Sequence, residues 1–344
     1  MRRTGKVAPY RDENGKVLPR SVAEVTRVQI GGMEQGMVIK GRSLDNPVLL
    51  SLHGGPGASE YLTIKAFPLN LEDYFTVCWW DQRGCGLSWE PNIQPGTITL
   101  EQMISDTIEV TNYLRRRFGK EKIYVMGHSW GSFLGVHVVD RNPELFEAYI
   151  GIGQTTNGME SEKQAYACML DTARRSGDRK TEKKLLAYQV TDLDSLTPEY
   201  LTLRSNITRK QGTGIFHVPR SYISLLLPYI LAKEYTLRDK YGCTKGVECL
   251  NQPVNEPNFS VNLSEAIPKL QVPVYIFHGI HDVQVSYQLA REYFDILDAP
   301  VKRFYAFEHS AHCPHWEEPE KFMEIIRRDI AAAGEGASRS GASF

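Results

Sequence analysis

Gly127-His128-Ser129-Trp130-Gly131 follows the apolar run Ile123–Met126 and leads straight into a helix-like segment. Strand, tight turn and helix in that order are the setting in which G-x-S-x-G becomes a nucleophile elbow. Glycine two residues either side of the serine removes β-carbons that would collide with neighbouring backbone in so sharp a turn. The strained turn lifts the serine hydroxyl clear of the sheet, where a base and a substrate carbonyl both reach it.

A serine hydroxyl is a poor nucleophile at neutral pH. It needs an adjacent base, and the base needs a carboxylate to hold its tautomer. The carboxylate candidate is Asp282, directly after the apolar run Val274–Phe277. The base candidate is His312, just past Phe304–Phe307, with His309 and His315 as neighbouring rivals. His128 and His281 are read as packing neighbours of the elbow and of Asp282. Ser129, Asp282 and His312 occur in the chain order of the α/β-hydrolase fold, each just past the C-terminal end of a strand. A fourth element, His53-Gly54-Gly55-Pro56-Gly57, follows Val48–Leu52. A loop with so few side chains exposes backbone N–H groups, and two such donors stabilise a tetrahedral oxyanion. Gly55 supplies one donor in this reading and Trp130, the residue after the nucleophile, the other.

Working outward, the chain holds further short, unbroken apolar runs at Thr76–Trp80 and Tyr149–Ile152. Unbroken rather than alternating hydrophobicity belongs to parallel strands covered by helices on both faces. Val25–Ile30 and Met37–Lys40 read instead as an antiparallel pair joined through Gly31-Gly32. Thr99-Leu100-Glu101-Gln102 is a capping-box pattern, and Met103, Val110, Leu114 and Phe118 continue it as one helical face. Pro319 opens a last helix with Phe322, Ile326 and Ile330 on one stripe. The predicted fold is therefore an α/β-hydrolase: a mostly parallel eight-stranded sheet with helices on both faces. A mainly helical cap is inserted after the sixth strand. The expected boundaries are a surface extension at 1–21, a core at 22–154 and 262–333, a cap at 155–261 and a disordered tail at 334–344.

Forty Lys+Arg against 41 Asp+Glu leave a net charge of -1, and no basic stripe interleaved with aromatics is present. That argues against nucleic acid as the main ligand. The longest apolar segment, Leu225–Ala232, contains Pro228 and is too short to span a bilayer. The basic start lacks the apolar stretch of a secretory signal, so a cytoplasmic protein with no membrane partner is expected. Six cysteines show no C-x-x-C pair and predict neither zinc nor a redox dithiol. Cys243 and Cys249 are near enough to bridge a loop, although free thiols suit a reducing compartment better.

Taken together, HGGPG at 53–57, Trp80-Asp81-Gln82-Arg83-Gly84-Cys85-Gly86-Leu87-Ser88, GHSWG at 127–131 and His312-Cys313-Pro314-His315-Trp316-Glu317-Glu318-Pro319 resemble the prolyl aminopeptidase branch of α/β-hydrolases. The resemblance covers roughly 22–154 and 262–332. It implies the same triad and oxyanion donors, no cofactor or metal, and release of an N-terminal residue, preferably proline, from short peptides with a free amino terminus. Arg83 and Asp81 are expected to pin their loop beside the elbow. The family binds the substrate amine with glutamates of the cap, and Glu234 and Glu256 are the candidates for that role here. A carboxylesterase or amidase using the same triad on a small acyl compound is the alternative. Epoxide hydrolases and haloalkane dehalogenases are disfavoured, because their elbow carries aspartate where Ser129 stands.

Overall fold

A computed structural model of the chain describes residues 5–250 and 254–332. Eight strands form one sheet: β1 (Val22–Ile30), β2 (Met33–Gly41), β3 (Val48–Leu52), β4 (Thr76–Trp80), β5 (Ile123–His128), β6 (Phe146–Ile152), β7 (Val274–Gly279) and β8 (Lys302–Phe307). Their spatial order is β1-β2-β4-β3-β5-β6-β7-β8. β1 and β2 run antiparallel, β2 meets β4 antiparallel, and every pairing from there to β8 is parallel.

The unbroken apolar runs have the reason expected of them. Along β3, Leu50 and Leu52 pack on one face with Val125, Phe133 and Leu134. Leu49 points to the other face, with Val77, Met126, Ile150 and Phe322. Both faces are dry, so each position in the strand is selected for burial, at roughly 1.5–3 kcal/mol per large side chain.

The helices begin where the sequence signals them. Thr99 caps helix Leu100–Phe118 by accepting from the Gln102 N–H at 3.1 Å, and Gly119 ends it in the left-handed region. The Gln102 side chain departs from the capping box, turning inward to Asp106 at 2.7 Å. Phe322, Ile326 and Ile330 are buried as one stripe along Pro319–Ile325 and the wider turn that continues it to Ala331.

Between β6 and β7 the named elements are all helical, including Gly158–Arg175, Pro198–Gln211, Tyr222–Leu231 and Leu237–Leu250. This is the cap. It is tied to the core by buried polar pairs, Arg27–Asp239 at 2.6 Å among them. Helix Tyr222–Leu231 is apolar on all sides and carries Pro228, with Ile223 73 % exposed. No helix among the described residues is long and apolar enough to cross a membrane. The N-terminal extension runs over the surface to the cap, where the Lys6 N–H donates to the Lys233 carbonyl at 2.9 Å. The tail expected at 334–344 lies outside the described residues. All six cysteines are free; Cys243 lies against Cys85 across the core–cap boundary, with no bridge to Cys249.

Candidate active site

The elbow is built by β5 and the helix Trp130–Arg141 that follows it. Ser129 stands between them at φ 54°, ψ −120°, a conformation L-residues rarely adopt. Its N–H is anchored to the Ile152 carbonyl at 2.9 Å. Both flanking glycines are required by close approach: a β-carbon on Gly127 would strike the Gly131 carbonyl, and one on Gly131 would strike that of Leu52. The turn thus nests against the end of β3, and side chains there would force it open.

His312 is buried, and its Nδ1 lies 2.8 Å from Asp282 Oδ2. The same carboxylate oxygen is 3.0 Å from His278 Nε2, while Oδ1 accepts from the Val285 N–H at 2.9 Å. Burial alone would raise the Asp282 pKa, but His312 and His278 outweigh it and hold the group ionised well below the usual carboxylate range. His278 had no role in the sequence reading, whereas His281, taken there as the neighbour of Asp282, instead stacks on His217 at 3.8 Å. The signal for His278 was its position four residues before Asp282, at the end of β7.

The rivals to His312 lie elsewhere. His309 is exposed, and His315 is fully buried behind the elbow. The loop carrying His312 is held by the acidic pair that follows it. Glu318 accepts from the His309 N–H at 3.0 Å and the Ser310 hydroxyl at 2.6 Å. Glu317 accepts from the Ala311 N–H at 2.8 Å and, through its other oxygen, from the His217 N–H of the cap at 2.8 Å.

The glycine loop lies directly on the elbow: a β-carbon on Gly54 would sit 3.0 Å from the His128 carbonyl and 3.1 Å from Ser129 Cβ. Gln82 locks the two together. Its N–H donates to His53 Nε2 at 3.1 Å and its amide to the His53 carbonyl at 3.0 Å, while its Oε1 accepts from Trp130 Nε1 at 3.1 Å. His53 Nδ1 then donates to the Gly54 carbonyl at 3.0 Å, consistent with a neutral ring whose pKa burial lowers. The segment's outer residues act further away. Arg83 pairs with Asp106 at 2.7 Å and reaches the Gly31 carbonyl at 2.8 Å, while Asp81 accepts from the Leu87 N–H at 2.8 Å. Trp130 is the first residue of its helix, so its N–H has no acceptor one turn back and faces outward.

Two cavities meet at this edge. One, of about 310 Å³, is lined by Gly55, Glu60, Ser129, Phe216, His312 and Trp316, with further apolar walls. The other, of about 500 Å³, is lined by Gly55, Ser129, Trp130, Glu162, Arg204 and Glu256, with further residues of the cap. Ser129, Gly55 and Gln284 belong to both. Glu162 is matched to Arg204 at 2.6 Å and to the Tyr200 hydroxyl at 2.8 Å, leaving Glu256 as the exposed carboxylate of the second cavity. Glu234 lines neither cavity. It is buried beneath the N-terminal extension, where Lys65 reaches it at 2.7 Å and the Tyr61 hydroxyl at 3.1 Å. Burial pushes its pKa up, yet the Lys65 bond and the other donors win and keep it below the ordinary glutamate value.

A half-buried serine on a strained elbow shares its cavity with a histidine hydrogen-bonded to an ionised, buried aspartate. The model of the family described as "alpha/beta hydrolase fold" matches residues 47–319. The chain is an α/β-hydrolase. It is 33% identical over 314 residues to a probable aminopeptidase, YbaC, of Bacillus subtilis (strain 168), covering 90% of this chain and 96% of that one. It is 27% identical to a proline iminopeptidase of Saccharolobus solfataricus, covering 83% of this hydrolase and 85% of the relative. The crystal structure of a Mycobacterium smegmatis proline iminopeptidase shares the fold, with a TM-score of 0.67 at 20% identity, covering 92% of this chain and 100% of that one.

Proposed function

We propose that the hydrolase is a serine aminopeptidase that releases an N-terminal residue, proline or another small one, from short peptides. Ser129 Oγ attacks the scissile carbonyl while His312 takes its proton, and Asp282 holds the imidazole in the donating tautomer. The oxyanion is met by the N–H groups of Gly55 and Trp130. The leaving amine receives the proton from His312, and water then releases the acyl-enzyme by the same steps in reverse. The observation that carries this reading is the His312–Asp282 bond of 2.8 Å in the wall of the cavity that Ser129 lines.

An exopeptidase recognises a protonated amino terminus, and a cation in a partly desolvated site needs an acidic partner. Of the two cap candidates, Glu256 is the one in the wall of a cavity containing Ser129, and it carries amine recognition in this proposal. The names of the relatives support the substrate class.

The test is hydrolysis of prolyl and alanyl arylamides, their N-acetylated counterparts and a short-chain aryl ester by the wild type and by Ser129→Ala. Turnover of the free-amine arylamides, abolished in Ser129→Ala and at least tenfold slower on the acetylated substrates, is the expected result. Ester turnover with no preference for a free amine would replace the peptidase by the carboxylesterase reading. Full activity in Ser129→Ala would remove both.

A further inference from the structure

Glu60, His128 and His315 present one ligand atom each within 4.8 Å of one another, and all three residues are buried. They come from three places in the fold: the helix after the glycine loop, the last residue of β5, and the turn after His312. Nothing in the mechanism above uses them.

Unmet bonding sets Glu60 and His315 apart, while His128 Nε2 lies 3.3 Å from the His312 carbonyl. Glu162, Glu234, Asp106 and Asp239 are buried carboxylates that each meet an arginine or lysine, while buried Asp81, which has no such cation, accepts instead from the Leu87 N–H at 2.8 Å. Glu60 has no such cation. One of its oxygens accepts from the Ser51 hydroxyl at 2.9 Å; the other, Oε1, has no hydrogen-bond donor and lies 3.4 Å from His315 Nε2. Both ring nitrogens of His315 are without hydrogen-bond partners. Buried polar groups left in this state cost stability unless something fills them.

We propose that Glu60, His128 and His315 form a binding site for one divalent transition-metal cation of the zinc type. The 3.4 Å between Glu60 Oε1 and His315 Nε2 matches the roughly 3.3–3.5 Å separating two ligands on a tetrahedral ion with bonds of about 2.0–2.1 Å. Two imidazoles and one carboxylate suit zinc, nickel or copper, whereas calcium and magnesium demand a shell of oxygens. Glu60 and His128 line the smaller cavity, which gives the ion a way in beside Ser129. Once bound, it occupies the cavity wall beside Ser129 and inhibits turnover. Inhibition rests on the serine-hydrolase reading; binding does not.

The decisive experiment titrates the untagged, chelator-stripped full chain with Co²⁺, following visible d–d absorption and bound metal after equilibrium dialysis. One equivalent per chain, displaced by Zn²⁺, is expected. Glu60→Gln and His315→Gln, each checked for cooperative melting, should lose more than the roughly 10–100-fold in affinity that loss of an outer-shell partner costs. Zn²⁺ inhibition reversed by chelator should weaken in parallel. Absence of stoichiometric binding by the wild type would overturn the proposal without recourse to any variant. So would undiminished binding in either folded variant. Metal binding without inhibition would leave the site standing and remove only its consequence for turnover.

Discussion

The sheet edge and the cap solve opposite problems. At the edge, loops from five strands are fixed by named bonds: Gln82 to His53 and Trp130, Asp282 to His278 and Val285, Glu317 and Glu318 to the loop before His312. Across the cavity, helix Tyr222–Leu231 turns Leu225 and Tyr229 toward the site and leaves Ile223, Leu226 and Ile230 in solvent. Glu256 stands exposed in the wall of the second cavity. Electrostatic catalysis depends on donors already oriented before charge develops, which favours a saturated edge. Selection among substrates depends on which wall faces them, and a loosely partnered wall changes without disturbing the chemistry. Glu317 is among the residues that join the two regions, bonding the histidine loop with one oxygen and the cap with the other.

That contrast breaks most sharply at Asp282. Asp282→Asn keeps the size but loses the preferred tautomer of His312, and kcat should fall about 10⁴-fold with the fold intact. A fall of less than tenfold would mean that the edge does not work as a triad.

Next comes Gln82→Ala, which frees the glycine loop from the elbow while leaving every proposed reacting group in place. Misplacement on the scale of 1 Å costs about 100-fold, and the loss should appear in kcat rather than KM. A change confined to KM would move Gln82 from the edge's machinery to the substrate wall.

The cap is expected to respond in the other parameter. Glu256→Gln should raise KM for free-amine arylamides by roughly 10-fold or more, the worth of a hydrogen bond to a charged group, and leave acyl esters unaffected. Glu234→Gln, outside the lining of both cavities, should alter either substrate's kinetics by no more than about twofold while lowering the melting temperature. Equal effects of Glu256→Gln on amines and esters would erase the division of labour.

The smallest effect concerns stability against pH. His315 is neutral in the fold, with its pKa near 3 through burial and then His312, but titrates near 6.5 in the unfolded chain. Between those values the unfolded state binds more protons, so stability is full above about pH 6.5 and drains away as pH falls toward 3. Denaturant titrations of the wild type and His315→Gln from pH 7 to 4 should show a slope flatter in the variant by on the order of a few kcal/mol across the window. Parallel slopes would contradict a buried neutral ring.

Much of the fold was legible because parallel strands buried on both faces write themselves as unbroken apolar runs. β3 and β4 begin and end where those runs do; β2 and β6 extend several residues beyond theirs, where polar positions such as Gln35 and Glu147 interrupt the pattern. The elbow's glycines were legible because their requirement is local. Gln82 was not, since its partners His53 and Trp130 lie in other elements and no spacing rule links those loops, whereas His278 carried only the weak signal of standing four residues before Asp282. Arg83 shows the same limit: its charge pointed to an ion pair, but the partner proved to be Asp106, a helix away.

Glu234 and Glu256 mark the boundary most clearly. Both are cap glutamates in unremarkable local sequence, yet one is bound to Lys65 under the extension and the other lines a cavity with Ser129. The sequence alone determined the strand succession, the strained serine turn and the order of the reactive groups, because backbone periodicity and turn sterics act over a few residues. Tertiary structure alone decided which histidine meets Asp282, which cap glutamate lines a cavity with Ser129 and which buried acids lack a lysine or arginine. Those outcomes depend on distances between segments far apart in the chain, and these exist only once the sheet and cap have packed.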